Sequence, residues 1–308
     1  MGICTSESYS KYNCNHVNFD GEIKDVTRDY LLEESIKEPL IRKYKITKKR
    51  IGKGAFGSIL IAVDSSGNKY AIKLIKKIKI INGQFLLNEV RIGKRMNHPH
   101  ILKIKEVYED KKNILFIMDY IEGGSLFNYI KSSPDGKLSI YTTIDILIQI
   151  LEALDYLHNK IRICHRDIKP ENFLVSMKEN KPYVKLIDFG LAFEIKKGEK
   201  GIGKIGTTIY MAPEVLKRVP YNEKIDMWST GVLLFNMSTG CDPFYAENEV
   251  RKIYYILNTE AEFDAIENEY IKDLCKNLME KNPCERIDAK NALIKAKKIR
   301  KIIYENYH

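Results

Sequence analysis

The spacing of apolar residues changes period part-way along this chain. Over residues 44–75 apolar and polar positions alternate in short runs. Tyr44-Lys45-Ile46-Thr47, residues 58–63 and residues 70–75 each repeat every two positions, which predicts three strands. Ser65-Ser66-Gly67-Asn68 predicts the turn between the second and third. Residues 85–96 read as a helix and residues 114–120 as a short buried strand. Beyond them the period becomes helical. Helices are predicted over residues 140–158, 225–238, 247–257 and 270–279, with a lysine-rich one over 289–301. A β-rich part followed by a helical part predicts an α+β fold with two unequal lobes. Their expected bounds are about 44–118 and 119–308. Residues 1–43 read as a tail, polar over its first twenty positions, with a short helix candidate over 27–36 that Pro39 argues against extending.

Composition narrows the function classes. Of 308 residues, 44% are hydrophobic and 30% charged, enough for a sizeable core. The net charge of +10 is carried by lysines dispersed among Ile and Asn, without a nucleic-acid motif. We read a generically basic solvated surface and expect no nucleic-acid partner. The six cysteines form no C-x-x-C pair and show no metal-ligand spacing, and no signal peptide precedes them. This favours a reducing, cytoplasmic setting. No apolar run reaches the roughly 18 residues of a membrane span.

Several short strings carry chemistry. Gly52-Lys53-Gly54-Ala55-Phe56-Gly57 fits G-x-G-x-x-G, whose glycines let backbone amides approach phosphate oxygens. A strand rather than a helix follows it, which excludes the dinucleotide-binding context; a plain hairpin turn is the alternative. Lys73, on the third strand, can reach phosphates if Glu89 of the next helix holds it, and is otherwise an edge lysine. His165-Arg166-Asp167-Ile168-Lys169-Pro170-Glu171-Asn172 gathers a carboxylate, a lysine and an amide in one loop. Asp167 can accept a hydroxyl proton, Lys169 can neutralise a moving phosphoryl group, and Asn172 can bind a metal. Asp188-Phe189-Gly190 follows a strand-like run, where a carboxylate suits Mg²⁺. Ala212-Pro213-Glu214 comes later.

These motifs, in this order, resemble the eukaryotic protein kinase family of the serine/threonine type, over residue 44 to the C-terminus. The resemblance implies an enzyme that moves the ATP γ-phosphate to a protein hydroxyl with Mg²⁺, so its expected cofactors are ATP and Mg²⁺ and its partners protein substrates. It implies that Gly52, Gly54 and Gly57 cover the phosphates, with Ile59 beyond them in the ATP site. Lys73, paired with Glu89, would orient the α- and β-phosphates. Asp167 would be the base, assisted by Lys169, and Asn172 and Asp188 would hold Mg²⁺. Ala71 and Leu174 would flank the adenine. Met118 would be the gatekeeper, and Asp119 to Ile121 the hinge. Glu214 would pair with Arg286, and Thr207 would touch the base. Thr208 and Tyr210 read as packing residues.

Asp226-Met227-Trp228-Ser229 and Gly240-Cys241-Asp242-Pro243-Phe244 look most like the calcium/calmodulin-dependent and calcium-dependent kinases. The chain departs from them in several ways. No D-x-D-x-D-G loop follows, so direct calcium binding is not expected. Residues 191–205 contain no Ser, Thr or Tyr, so activity without loop phosphorylation is expected, with Glu194 or Glu199 offering Arg166 a fixed charge. Ser125 stands where basic-directed relatives often carry Glu, although Glu171 is retained. Gly93 replaces a bulky apolar residue and costs the helix roughly 1 kcal/mol relative to alanine. It predicts a loosely held Glu89 helix, unless Ile92 or Met96 fills the gap. Met1-Gly2-Ile3-Cys4-Thr5-Ser6 fits a myristoylation signal at Gly2, with Cys4 placed for a palmitoyl group. Two chains would anchor the protein to the cytoplasmic face of a membrane; an unmodified tail is the alternative. A catalytically silent scaffold and a small-molecule kinase are the competing functions.

Overall fold

Period-two alternation builds an antiparallel sheet at the start of the described chain. The computed structural model describes residues 40–54, 57–80, 83–196 and 198–306. The candidate helix over 27–36, Gly2 and Cys4 lie outside them, as do Ala55 and Phe56 of the glycine loop. Contacts divide the chain into two units. The first contains β1 (Lys45–Gly54), β2 (Gly57–Val63), β3 (Lys69–Lys76), α1 (Gly83–Arg95), β4 (Ile104–Glu109) and β5 (Asn113–Asp119). Its five strands run in the order β1-β2-β3-β5-β4. Successive residues of β3 and β5 serve opposite faces. Ile75, Ile114 and Phe116 pack under Leu86 and Val90 of α1. Ile72, Leu115 and Ile117 pack with Leu40, Tyr44 and Ala62 on the other face. Each such side chain contributes roughly 1.5–3 kcal/mol by leaving water.

β4 was not legible as a strand, because a register shift between Ile104 and Glu106 breaks its alternation. The division also falls two residues later than expected, after Tyr120, and it assigns residues 96–102 to the second unit. The reason is a bridge to a later strand: Leu102 N–H donates to Leu186 O and Leu186 N–H to His100 O, both at 2.9 Å.

The second unit is mostly helical. It contains α2 (Leu126–Lys131) and α3 (Ile140–Asp155), the latter capped by Ser139 and prolonged by a π-turn over Tyr156–Lys160. Short strands follow: β6 (Ile163–Cys164), β7 (Phe173–Lys178), β8 (Lys181–Leu186) and β9 (Phe193–Glu194), pairing β6 with β9 and β7 with β8. Then come α4 (Pro213–Leu216), α5 (Lys224–Thr239), α6 (Glu249–Asn258), α7 (Glu269–Leu278) and α8 (Ala289–Asn306). α5 is buried on every side from Ile225 to Phe235 and ends at left-handed Gly240. The predicted lysine-rich helix is α8, and it packs on α3 and α7. Ala289, Ala292, Ala296, Ile299 and Ile303, spaced three and four apart, form its buried stripe. Arg300 and Tyr304 bind Asp145 at 2.5 and 2.8 Å, and Lys297 binds Glu152 at 2.8 Å. Cys164 and Cys275 are buried free thiols, whereas Cys241 and Cys284 are exposed. Among the described residues no helix is long and apolar enough to cross a membrane.

Candidate active site

In the first unit the glycine motif continues the β1–β2 ladder, pairing Gly52 with Ile59 and Gly54 with Gly57. Gly57 is demanded by space: a β-carbon there would lie 1.6 Å from Leu74 O of β3. Ile59 stands opposite Lys73 across β2–β3. Lys73 Nζ reaches Glu89 Oε1 at 2.5 Å, so strand and helix bring the two predicted partners together. The ammonium also lies 5.8 Å from the Phe116 ring centre. Ala71 is buried opposite Met118, and Met118 packs against the apolar cluster under α1. Asp119 ends β5 and pairs with Lys105 at 2.6 Å.

In the second unit the catalytic string is a loop tied to α5. Asp226, fully buried, accepts from His158 Nε2 and His165 N–H at 2.8 Å and from Arg166 N–H at 2.9 Å. Burial alone would raise its carboxyl. The bond from His158 and the pull of both histidines outweigh burial and hold it below the ordinary range. Arg166 takes a left-handed backbone, φ +68°, which turns the chain so that Asp167 follows in a buried position.

Asp167 has three close neighbours. Its Oδ2 meets Lys169 Nζ at 2.8 Å and accepts from Asn172 Nδ2 at 2.9 Å. Its Oδ1 accepts from Thr207 Oγ1 at 3.2 Å, and Lys169 Nζ donates to the same threonine at 2.9 Å. Gly206, φ +108°, permits that approach, since a β-carbon there would lie 2.7 Å from Arg166 O. Asp188 is also left-handed, φ +66°, and its Oδ1 accepts from Gly190 N–H at 3.2 Å. Phe189 beside it is buried edge-on against His165, 5.1 Å between ring centres. Leu174, half-buried in β7, bridges to Ser125, and Ile121 is half-buried at the start of the unit.

The donor set fits a hard cation. Asn172 turns its amide NH₂ toward Asp167, so its carbonyl oxygen is not used in that contact. With the Asp188 carboxylate it offers oxygen ligands of the type Mg²⁺ takes beside phosphate oxygens. Among the described residues no group of three or more His, Cys, Asp or Glu is placed to hold a metal without such help.

Residues 45–296 match the protein kinase domain family. This chain belongs to that family. It is 36% identical over 275 residues to calcium-dependent protein kinase 5 of Plasmodium falciparum (isolate 3D7), covering 86% of this chain and 48% of that protein. It is 36% identical over 254 residues to calcium-dependent protein kinase 4 of Plasmodium berghei (strain Anka), covering 80% and 47%. Against calcium/calmodulin-dependent protein kinase type 1 of Macrobrachium nipponense it is 35% identical over 267 residues, covering 83% and 75%. The chain thus spans about half the length of the Plasmodium relatives it matches.

Within this kinase domain Glu214 and Arg286 meet as expected, through a two-pronged contact of 2.6 and 3.0 Å that is almost wholly buried. Arg286 also donates to the carbonyls of Lys224 and Glu280. Tyr210 is buried, as the packing reading holds, while Thr208 donates to Glu249 at 2.9 Å. Ser125 caps α2 by accepting from Asn128 N–H, a local use for a hydroxyl at that position.

One expectation is corrected and another is refined. Glu199 lies 3.6 Å from Lys196 and is not a contact of Arg166. The Arg166 guanidinium instead meets Leu191 O at 2.5 Å, Tyr221 Oη at 3.4 Å and the face of Phe193 at 4.8 Å, partners that carry no charge. Beside Gly93 the side chain of Ile104 from β4, a residue the sequence reading did not consider, stands where a β-carbon would lie. Asp226, His158 and Tyr221 escaped the sequence reading as site residues. The only signal for Asp226 was an acid inside an otherwise apolar helix.

Proposed function

We propose that this kinase domain is an ATP-dependent protein serine/threonine kinase using Mg²⁺. The observation that carries the reading is Asp167, held by Lys169, Asn172 and Thr207 at the end of a loop fixed to α5. A carboxylate acceptor beside an ammonium group suits phosphoryl transfer, where positioning and charge neutralisation do most of the work. Asp167 would take the proton of the incoming hydroxyl. Lys169 would offset charge on the moving phosphoryl group, and Thr207 would orient both. Lys73, oriented by Glu89, would engage the α- and β-phosphates beneath the glycine strands. Asn172 and Asp188 would hold Mg²⁺, which supplies charge neutralisation on the phosphates when bound.

The test is radiolabel transfer from ATP to a generic basic protein, wild type beside Asp167→Asn, with and without calcium and with and without prior phosphatase treatment. Incorporation lost in the variant supports the reading. Phosphatase insensitivity supports activity without loop phosphate. No incorporation by wild type sinks the assignment in favour of a scaffold, and labelling of small molecules alone would favour a small-molecule kinase.

The Gly2-Ile3-Cys4 signal supports a second part of the proposal: a doubly acylated tail that places the domain on the cytoplasmic face of a membrane. Expression of Gly2→Ala in cells should release the protein to the soluble fraction. Unchanged membrane association would reject the anchor.

A further inference from the structure

The link between β3 and α1 begins with a 3₁₀ turn over Lys77–Lys79, and the middle residue of that turn is apolar. Ile78 is 93% exposed, more than any other large apolar side chain among the described residues. A lone exposed isoleucine is ordinary on a protein surface; the setting of this one is not. Lys76 and Lys79 stand on either side of it, both exposed. The turn between β4 and β5 brings Lys111 and Lys112 alongside, also exposed. The backbone fixes that neighbourhood. Lys76 faces Asn113 across β3–β5, and Lys77 N–H donates to Lys112 O at 2.8 Å.

The acids nearby do not neutralise this tip. Glu109 is buried and pairs with Lys77 at 2.7 Å. Asp110 accepts the N–H groups of Lys112 and Asn113, both at 2.7 Å, and so closes the turn. Lys76, Lys79, Lys111 and Lys112 have no ion-pair partner among the described residues. One bare isoleucine therefore projects among four uncompensated lysines. The tail joins this same unit at Leu40.

We propose that this tip is a contact for an anionic membrane surface: the four lysines lie against acidic headgroups, and Ile78 enters the acyl boundary between them. The choice of a lipid over an acidic protein rests on the acyl-tail reading; the tip itself does not. The 39 residues before Leu40 can span at most roughly 130 Å. Acyl groups at their start hold the domain near a membrane without orienting it, and the tip supplies the orientation. Each lysine beside such a surface strengthens binding roughly fivefold, and burying an isoleucine adds roughly tenfold or more. Together they reach on the order of 10⁴ M⁻¹, the strength of a single myristoyl chain. Such a contact is measurable on vesicles and too weak to hold the protein in a cell without its tail.

The experiment is co-sedimentation of the full chain with vesicles of phosphatidylcholine, with and without phosphatidylserine. The protein is made in bacteria and carries Gly2→Ala, so no acyl chain contributes. Binding is expected only to the vesicles that contain phosphatidylserine. Lys111→Gln with Lys112→Gln should weaken it roughly 25-fold, and Ile78→Ser roughly tenfold. Lys290→Gln with Lys298→Gln removes equal charge from the exposed side of α8 and should change binding by less than about twofold. Glycerophosphoserine, the headgroup without its acyl chains, should not compete. The emission of Ile78→Trp should be quenched by lipids brominated in their acyl chains, against a native Trp228 that is fully buried.

Equal losses from the tip and from α8 overturn the proposal, because overall charge would then explain the binding. So does equal binding without phosphatidylserine, displacement by the free headgroup, or no binding at all. An unaffected Ile78→Ser or an unquenched Ile78→Trp overturns it too, since the isoleucine would then stay in water. These readings use no acyl chain, so they judge the tip whether or not Gly2→Ala releases the protein in cells, which judges the anchor.

Discussion

Asp226→Asn keeps the shape of a side chain and inverts part of its hydrogen bonding. The native carboxylate accepts three bonds of 2.8–2.9 Å and is fully buried. In the amide one oxygen becomes an NH₂ group. Whichever way it turns, a backbone N–H of His165 or Arg166 then faces a donor. The loss is at least one charge-assisted bond, worth about 1.5–3 kcal/mol, plus about 1–3 kcal/mol for a buried N–H left unpaired. The expected cost is about 3–5 kcal/mol, a large share of the roughly 5–15 kcal/mol that folds a domain. Because Arg166 N–H is among the lost partners, Asp167 is displaced as well, and kcat should fall with stability. Equilibrium urea unfolding gives the first quantity and labelled-ATP turnover the second.

A pH series sharpens the test. The folded carboxyl of Asp226 lies below the ordinary value, so its contribution is fully present above about pH 4, the unfolded value. It is lost as the pH falls through the folded value. The stability gap between wild type and Asp226→Asn should therefore be constant near neutrality and narrow in acid. A neutral-pH gap below about 1 kcal/mol, or one that stays the same in acid, would refute the account.

Two further outcomes follow from particular contacts. Arg286→Met leaves Glu214 buried without its partner, and urea unfolding should register about 3–5 kcal/mol of destabilisation; changing Glu214 to Gln as well should recover part of it, and no recovery would show that the ion pair is not the source. Gly201→Ala drives a β-carbon to within 2.2 Å of the Tyr221 ring, which pairs with Gly201 through two backbone bonds; peptide phosphorylation should fall at least tenfold, and an unaffected rate would mean that this bridge does not order the loop.

Four strands of the first sheet (β1, β2, β3 and β5), the main helices and the strings of the candidate site were legible because their signals are local. Lys73 and Glu89 sit on adjacent elements, and Asp167, Lys169 and Asn172 share one loop. What escaped depends on distant partners. Asp226 looks anomalous inside apolar α5 until His158 and the backbone of residues 165 and 166 are seen around it. β4 was hidden by its irregular register. Gly93 was read by resemblance as a gap, and only the fold shows Ile104 standing where a β-carbon would lie. The resemblance suggested a charged partner for Arg166, and the fold supplies a carbonyl, a hydroxyl and a ring.

The thiols of this protein also make a clock. Cys241 and Cys284 face solvent and should react with a neutral-pH alkylating reagent at the rate of a free thiol. Cys164 is enclosed in β6, immediately before the loop that carries Asp167, and burial, with the nearby charge of Asp226, pushes its thiol well above the usual range. It can be alkylated only when β6 parts from β9 and exposes it. Cys275, the other buried thiol, lies in α7, so the Cys164 adduct is followed by its own peptide mass, and its delay behind the fast adducts reports how often the loop opens in a protein that is otherwise folded.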